Sequence, residues 1–539
     1  MAESRKIIPV NRNGDNFFSK RSTSGRIFKW LVISIISLGV LIVCAGYILS
    51  YYGQKKAETE FRKVNGTFSS LKINLFERSV TVHHILWKSS DDSTENKASI
   101  GRIKLQGISL FQLIINKQLH AQTLRIDSGA IQYQPSLKKD TTKTSPHKSF
   151  PFEIENVILR DVFVELKQDS VTKIEALLNL RYGALKVDTL GNLNASLKSA
   201  FHYFQGDIAH VKVKKAHGLY ASHIDKIEFD SENESLSIDS LKLIPTQGKY
   251  EFAHVKGKQV SRLDLTVRNV AISGLNYSTI FDSLISIRKV AVHAANLHSF
   301  RDKRMPFKNG VMEMPMKSLQ KLQFALEIDS ITIDSTMITV EEFAEQATQP
   351  GLINFQNLTA LMTRLSNRYY NNKPKYSQLD AHAKLMGSGL ITASFRFPLD
   401  DSPLYSAKGK IANMPLAHIN PILENSALLR IESGQLNELY FNFNYTDFKS
   451  EGAVEINYDN LQLTMLNADK EKSTDKVKTV LINAFLKKTK DESTEQRKRT
   501  GAINIDRDRH RFIFNLWWKS LQDGLKSSVL GNEKNERNN

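Results

Sequence analysis

The sequence is short of cysteine. Cys44 is the only one in 539 residues, which excludes an intramolecular disulfide and a thiolate metal cluster and leaves the redox compartment unmarked. Catalytic signatures are missing too: there is no Walker loop, no GxSxG, no HExxH and no GxGxxG following a strand. The adjacent His83 and His84 of "VHHIL" project to opposite faces of a strand, so they are not placed to share a metal. The alternating charges of "DRDRHR", residues 506 to 511, fit a solvated surface segment. These absences support a protein that is not an enzyme and that needs neither metal nor cofactor.

Positive charge is present in excess, a net +18. Clustered on a folded domain it would point to nucleic acid, so its distribution matters more than its sum. Residues 1 to 29 hold seven Lys and Arg against two acids, and residues 475 to 539 hold fifteen against nine, so the ends supply +5 and +6 of the total. The long middle is only mildly basic, and nucleic acid is not an expected partner.

The basic N-terminus precedes "WLVISIISLGVLIVCAGYILSYY", residues 30 to 52, which carries no charge. At about 1.5 Å per residue this run spans a hydrocarbon core of about 30 Å, and we read it as a transmembrane helix. It is too long for a cleaved signal peptide, and "LIVC" lacks the small residue expected before a lipidated cysteine. Seven cations between Arg5 and Lys29 hold the tail in the cytoplasm, Trp30, Tyr51 and Tyr52 mark the interfaces, and everything after residue 55 is expected outside.

From residue 70 to 466 the dominant pattern is period-two alternation, the mark of strands with one apolar and one wet face. In "NELYFNFNYTDF", Leu439, Phe441, Phe443 and Tyr445 point one way and Tyr440, Asn442 and Asn444 the other. Val454, Ile456 and Tyr458 repeat the pattern, then Leu461 and Leu463; Leu236 and Ile238 do so, then Leu241 and Leu243. "GLITASFRF" aligns Ile391, Ala393, Phe395 and Phe397. Helices are few: "SLFQLIINK" and "YSTIFDSL" read as short ones between strands, and "DKVKTVLINAFLKK" as a longer one. The stretches 135 to 149, 366 to 378 and 487 to 500 are polar joints. Two segments, "IKLQGISLFQLIINKQLHAQTLRIDSGAIQYQ" and "LDLTVRNVAISGLNYSTIFDSLISIRKVAVHAANL", share a strand, short helix, strand, strand order, which favours an elongated sheet. About thirty strands at about 4.8 Å each give an upper limit on the order of 150 Å.

Several of these segments resemble a known family. A single N-terminal anchor, then "ISLFQLIINKQLHAQTLRIDSGAIQY", then "KGKIANMPLAHINPILENSALLRIESGQLNELYFNFNYTDFKSEGAVEINYDNLQL" is similar to the AsmA-like proteins of diderm bacterial envelopes. The similarity covers residues 30 to 466, and the late glycine-led strand, the "PLAHINPILE" crossover and the "IESGQLNELYFNFNY" strand are its most specific parts. The resemblance implies an inner-membrane anchor, a periplasmic bulk and a sheet curled lengthwise into an open groove with an apolar floor. It also implies a part in phospholipid handling or outer-membrane maintenance.

The expected fold is therefore mainly β, an elongated antiparallel sheet curled into a groove, with one N-terminal transmembrane helix and a C-terminal amphipathic helix. Its regions are a tail 1–29, the transmembrane helix 30–52, a β-rich repeat region 55–379, an AsmA-like β region 380–466, a helix and linker 467–500, and a strand and helix 501–539. Ile391, Phe395, Phe397, Leu439, Phe441, Phe443, Val454 and Ile456 are the candidates to line a lipid groove; the same residues would equally fill a closed core. In "RFIFNLWWKSLQDGLKSSVL", Phe514, Trp518, Leu521, Leu525 and Val529 share a helical stripe with Trp517 beside it, either a surface-lying membrane helix or a cap on the sheet. Through it the protein would meet the outer membrane or envelope proteins. Asp followed by Ser or Thr recurs, which is similar to a periplasmic O-glycosylation pattern at Ser170, Thr189, Ser240, Ser283 and Ser330 and is also ordinary turn chemistry. The rival readings are a periplasmic scaffold with a closed β core, and an anchored signal relay, for which a tail of 29 residues leaves little room.

Overall fold

The computed structural model describes residues 52–530, apart from residues 64, 75–76, 89–95, 135–150, 168–171, 188–202, 216–217, 308–309, 369–374, 468–472, 477 and 480–497. The expected transmembrane helix, with Trp30 and Tyr51, lies outside the described residues, as do Ser170, Thr189 and most of the joint at 487 to 500; Tyr52 opens helix α1 (Tyr52–Lys63). Among the described residues no helix is long and apolar enough to cross a membrane. Strand accounts for 64% and helix for 15% of the described residues, so the fold is mainly β.

One compact unit is built from β1 (Gly66–Thr67), β2 (Ser70–Asn74), β3 (Ser79–Lys88), β4 (Lys97–Gln106), β5 (Leu119–Tyr133), β6 (Phe152–Lys167) and the greater part of β7 (Thr172–Val187). Strands β2 to β5 pair antiparallel in order, and β5 pairs parallel with β6. Val82, Ile85, Ile103, Leu124, Ile126 and Ile154 form its buried face. The "SLFQLIINK" helix is α2 (Leu110–Ile115), capped by Ser109 and with Leu110, Phe111, Ile114 and Ile115 all exposed.

The second unit carries β8 (Phe204–Lys215), β9 (Tyr220–Asp230), β10 (Ser235–Pro245), β11 (Ser261–Leu275), β12 (Leu284–Asp302), β13 (Ala325–Phe343) and β14 (Gly351–Ser366). It continues with β15 (Tyr376–Leu385), β16 (Gly389–Pro398), β17 (Tyr405–Pro415), β18 (Leu429–Tyr445), β19 (Lys449–Met465) and β20 (Lys498–Asp506). Its helices are α3 (Glu251–Lys256), α4 (Pro315–Gln320), α5 (Asn420–Ser426) and α6 (Ile513–Leu530). Each strand pairs with the next, antiparallel throughout except for β12 with β13. Among the described residues β8 and β20 share no ladder, so this sheet does not close on itself. A parallel pair needs a long return connection. Residues 303–324 supply it and bring Met314 and Met316 into the core.

The twenty strands are fewer and longer than the alternation implied. Apolar spacing slips from two to three between Ile238 and Leu241 and again between Tyr458 and Leu461, which reads as a strand end. Each slip is instead a residue of positive φ inside one continuous strand, Ser240 at 54° and Asn460 at 52°. Such bulges turn one extra residue out of register and increase the local twist. His84 is another, at φ 51°, which puts Val82 and Ile85, not Val82 and His84, on the buried face.

Candidate functional site

The register of the second unit lines up apolar side chains across all its strands. One row runs Ile208, Ile227, Ile238, Val270, Val292, Ile333, Ala360, Ala381, Ala393, Gly409, Phe441, Val454, Gly501, from β8 to β20. Two residues along each strand, a second row runs Gly206, Phe229, Leu236, Ile272, Val290, Ile331, Met362, Leu379, Phe395, Ala407, Phe443, Gly452, Ile503. A spacing of two keeps both rows on one face. Neither contains a polar side chain.

The two ends of these rows meet different fates. From β17 to β20 every side chain in them is buried, Val454 at 0% and Phe441 at 5% exposed, in a core that also takes in Met314, Met316, Leu416 and the inner side of α6, and only Gly409 and Gly452 keep open backbone. From β8 to β12 the row residues are half-buried, Phe229 alone being fully buried. Among the described elements, none packs across β8, β9 or β10 beyond isolated contacts except their neighbours in the sheet. The result is an apolar strip shaded by its own side chains.

Small residues seat α6. Ser520, Gly524 and Ser528 recur every fourth residue and are buried, with Ile513 and Leu516 on the same side. A Cβ on Gly524 would stand 2.5 Å from Val454 Cγ2 and 3.0 Å from Ile503 Cγ1, and one on Gly501 would run into the backbone of Gly524 and Ser528. Ser520 Oγ donates to Ser450 Oγ at 2.8 Å, and Asn504 N–H donates to Asp523 at 2.9 Å. Helix and sheet therefore meet nearly backbone to backbone.

This seat turns the helix away from the expected stripe. Trp517, Leu521 and Leu525 pack on the core, but Phe514 is 63% and Trp518 36% exposed. The aromatic stripe was read without the glycine and serines, whose spacing sets the contact face. Trp517 stacks on Phe395 at 4.3 Å and meets Tyr445 edge-on at 6.2 Å. Its indole N–H and the Tyr445 hydroxyl are both buried and lie near each other outside hydrogen-bond geometry. Burial pushes the Tyr445 phenol far above its ordinary range and Tyr405 up to about 12.

Asp447, in the turn between β18 and β19, ties the covering elements together. It accepts from the buried Arg507, from Arg509 at 3.1 Å, and lies 3.8 Å from Lys317 of α4. Arg507 also donates to the Met312 carbonyl at 2.6 Å, and Met312 N–H donates to the Arg509 carbonyl at 2.7 Å. The "DRDRHR" segment expected to be plain surface thus holds the 303–324 connection against the sheet.

Of the groove candidates, Leu439, Phe441, Phe443, Val454 and Ile456 lie in this sealed core with Phe397, and Ile391 and Phe395 pack at its margin. Alternation upstream is weaker per strand, and the register that joins Ile208, Ile227, Val270, Val292, Ile331 and Ile333 into continuous rows is a property of pairing. Ser240 and Ser283 both have positive φ, and so does Ser335 after Asp334, so these Asp–Ser pairs mark bulges and a helix end; Ser330 lies within β13. On the wet face, Asp380, His382, Lys408, Lys410 and Tyr440 border a shallow depression of about 760 Å³. Compared with protein-family models and with curated proteins, the sequence matches none.

Proposed function

We propose that this chain is an AsmA-like, inner-membrane-anchored periplasmic protein that binds phospholipid by its acyl chains along the apolar rows, in support of the outer envelope. The observation that carries this reading is the pair of unbroken apolar rows, half-buried and covered by no described element over β8 to β10. Acyl chains need only apolar area, at about 25 cal/mol per Å², so no sharp binding motif is required and no catalytic residue is assigned. The exposed Phe514 and Trp518 of α6 suit contact with a membrane or an envelope partner.

A periplasmic scaffold is the second reading, favoured by the sealed core at β17 to β20. The full chain, purified in detergent and analysed by native mass spectrometry, separates the two. Stoichiometric phospholipid, lost in Ile238→Asp/Ile272→Asp with the circular dichroism of the sheet unchanged, supports the lipid reading. Wild-type protein that is folded and lipid-free overturns it.

A further inference from the structure

We propose that helix α6 is an exchangeable occupant of the apolar face: it fills the last section of the same strip that takes hydrocarbon upstream, and an acyl chain displaces it. This rests on the lipid reading above and adds the regulation of that site.

The first row changes character beyond β13, and the helix packs at its far end, on β19 and β20. Over β8 to β13 the first row is Ile, Ile, Ile, Val, Val, Ile; over β14 to β20 it is Ala, Ala, Ala, Gly, Phe, Val, Gly. Small residues thin the first row there while the second keeps Met362, Leu379, Phe395, Phe443 and Ile503, and polarity does not interrupt the strip at the boundary. Helix α6 brings the same chemistry an acyl chain would, through Ile513, Leu516, Leu521 and Leu525.

Its hold is incomplete. The Trp517 indole N–H of the helix and the Tyr445 hydroxyl of the sheet are buried and lie near each other outside hydrogen-bond geometry, a weak contact that water or headgroup atoms replace when the helix lifts. The outward face carries Phe512, Phe514 and Trp518, all exposed, so a lifted helix has apolar surface ready for a lipid interface. Asp447 is the latch, since its carboxylate joins the β18–β19 turn to Arg507 and Arg509, the residues that lead into the helix.

Ser450 and Ser520 allow the test, because their hydroxyl oxygens already lie 2.8 Å apart, a separation that a disulfide between cysteines bridges with little movement. The full chain carries Cys44→Ser, Ser450→Cys and Ser520→Cys, and a benzophenone amino acid replaces either Ile238 in the uncovered section or Phe395 beneath the helix. Vesicles of phosphatidylethanolamine and phosphatidylglycerol are the probe, and photo-crosslinked lipid is the readout. The expected result is crosslinking at position 238 in both redox states, and crosslinking at 395 that falls at least tenfold on oxidation and returns on reduction. In the reduced protein Asp447→Asn is expected to raise the yield at 395 several-fold, and it serves alone if the disulfide does not form. Crosslinking at 238 with none at 395 in the reduced protein and in Asp447→Asn, or an equal yield at 395 when oxidised, overturns the exchange while the lipid reading stands. No crosslink at 238 in any state overturns the lipid reading and the exchange with it.

Discussion

Gly524→Ala gives a prediction whose sign separates a seated helix from a free one. In an isolated helix the change stabilises by about 1 kcal/mol, because alanine has the better helix propensity. In this structure the new methyl would stand 2.5 Å from Val454 Cγ2. Carbon–carbon contacts are optimal at about 3.5 Å or more, so the helix has to retreat by about 1 Å, or Val454 has to move inside a fully buried core. A gap of that size forfeits a quarter to a half of the contact energy of the facing side chains. Ile513 and Leu516 are the buried chains on the seating face of the helix. Burial of two such chains contributes about 3–6 kcal/mol, so the loss is about 1–3 kcal/mol, in the range of overpacked cores. Net of propensity, the helix is destabilised by about 0–2 kcal/mol. Hydrogen exchange of the amides from 513 to 530 measures this locally, with urea unfolding followed by tryptophan fluorescence as the global check. Slower exchange, corresponding to stabilisation of about 1 kcal/mol, would refute the close seat on Val454.

Two further substitutions probe the polar groups. Tyr445→Phe is expected to leave stability unchanged or to raise it by up to about 1 kcal/mol, since the hydroxyl is buried with no hydrogen bond to lose; a clear loss in the urea midpoint would reveal a partner. Asp302 is buried and accepts from Arg304 at 2.6 Å, a bond that holds its carboxyl below the ordinary 3.8. A depressed folded pKa contributes stability that is full above 3.8 and is lost as the pH falls through the folded value. Urea midpoints against pH should therefore show Asp302→Asn less stable than wild type at neutral pH, with the gap closing only below 3.8; a gap that persists unchanged well below that pH would show that the carboxyl is not held low.

Strand content and wet and dry faces were legible because alternation is written residue by residue, as in Leu439, Phe441 and Phe443. The short helices at Leu110–Ile115 and at residues 277–282 were legible too, from apolar spacing between two alternating runs. Strand length was not, because a bulge and a strand end produce the same slip in spacing, and Ser240 and Asn460 sit in positive φ where either would be plausible. The uncovered rows escaped because a row is a property of pairing: nothing local joins Ile208 to Val292. For α6, aromatic size marks which side chains are large and not which face the sheet takes. Close packing of backbone on backbone is set by what is absent from a position, and Ser520, Gly524 and Ser528 carry that information in their smallness.

The same smallness bears on how the strip works. A sheet built only to close a core would gain most from large side chains along its whole face, since each added methylene under cover contributes about 0.8 kcal/mol. The first row does the reverse, placing Ala360, Ala381, Ala393, Gly409 and Gly501 under or near its cover and Ile208, Ile227 and Ile238 where no described element packs. Half-buried branched side chains gain only part of that from the fold itself, so their regular placement leaves room for a cover from outside. On the proposed reading a hydrocarbon ligand supplies that cover, as α6 does over β19 and β20. No polar side chain separates the two sections, and α6 shares the cover of the sealed one with Met314, Met316 and Leu416.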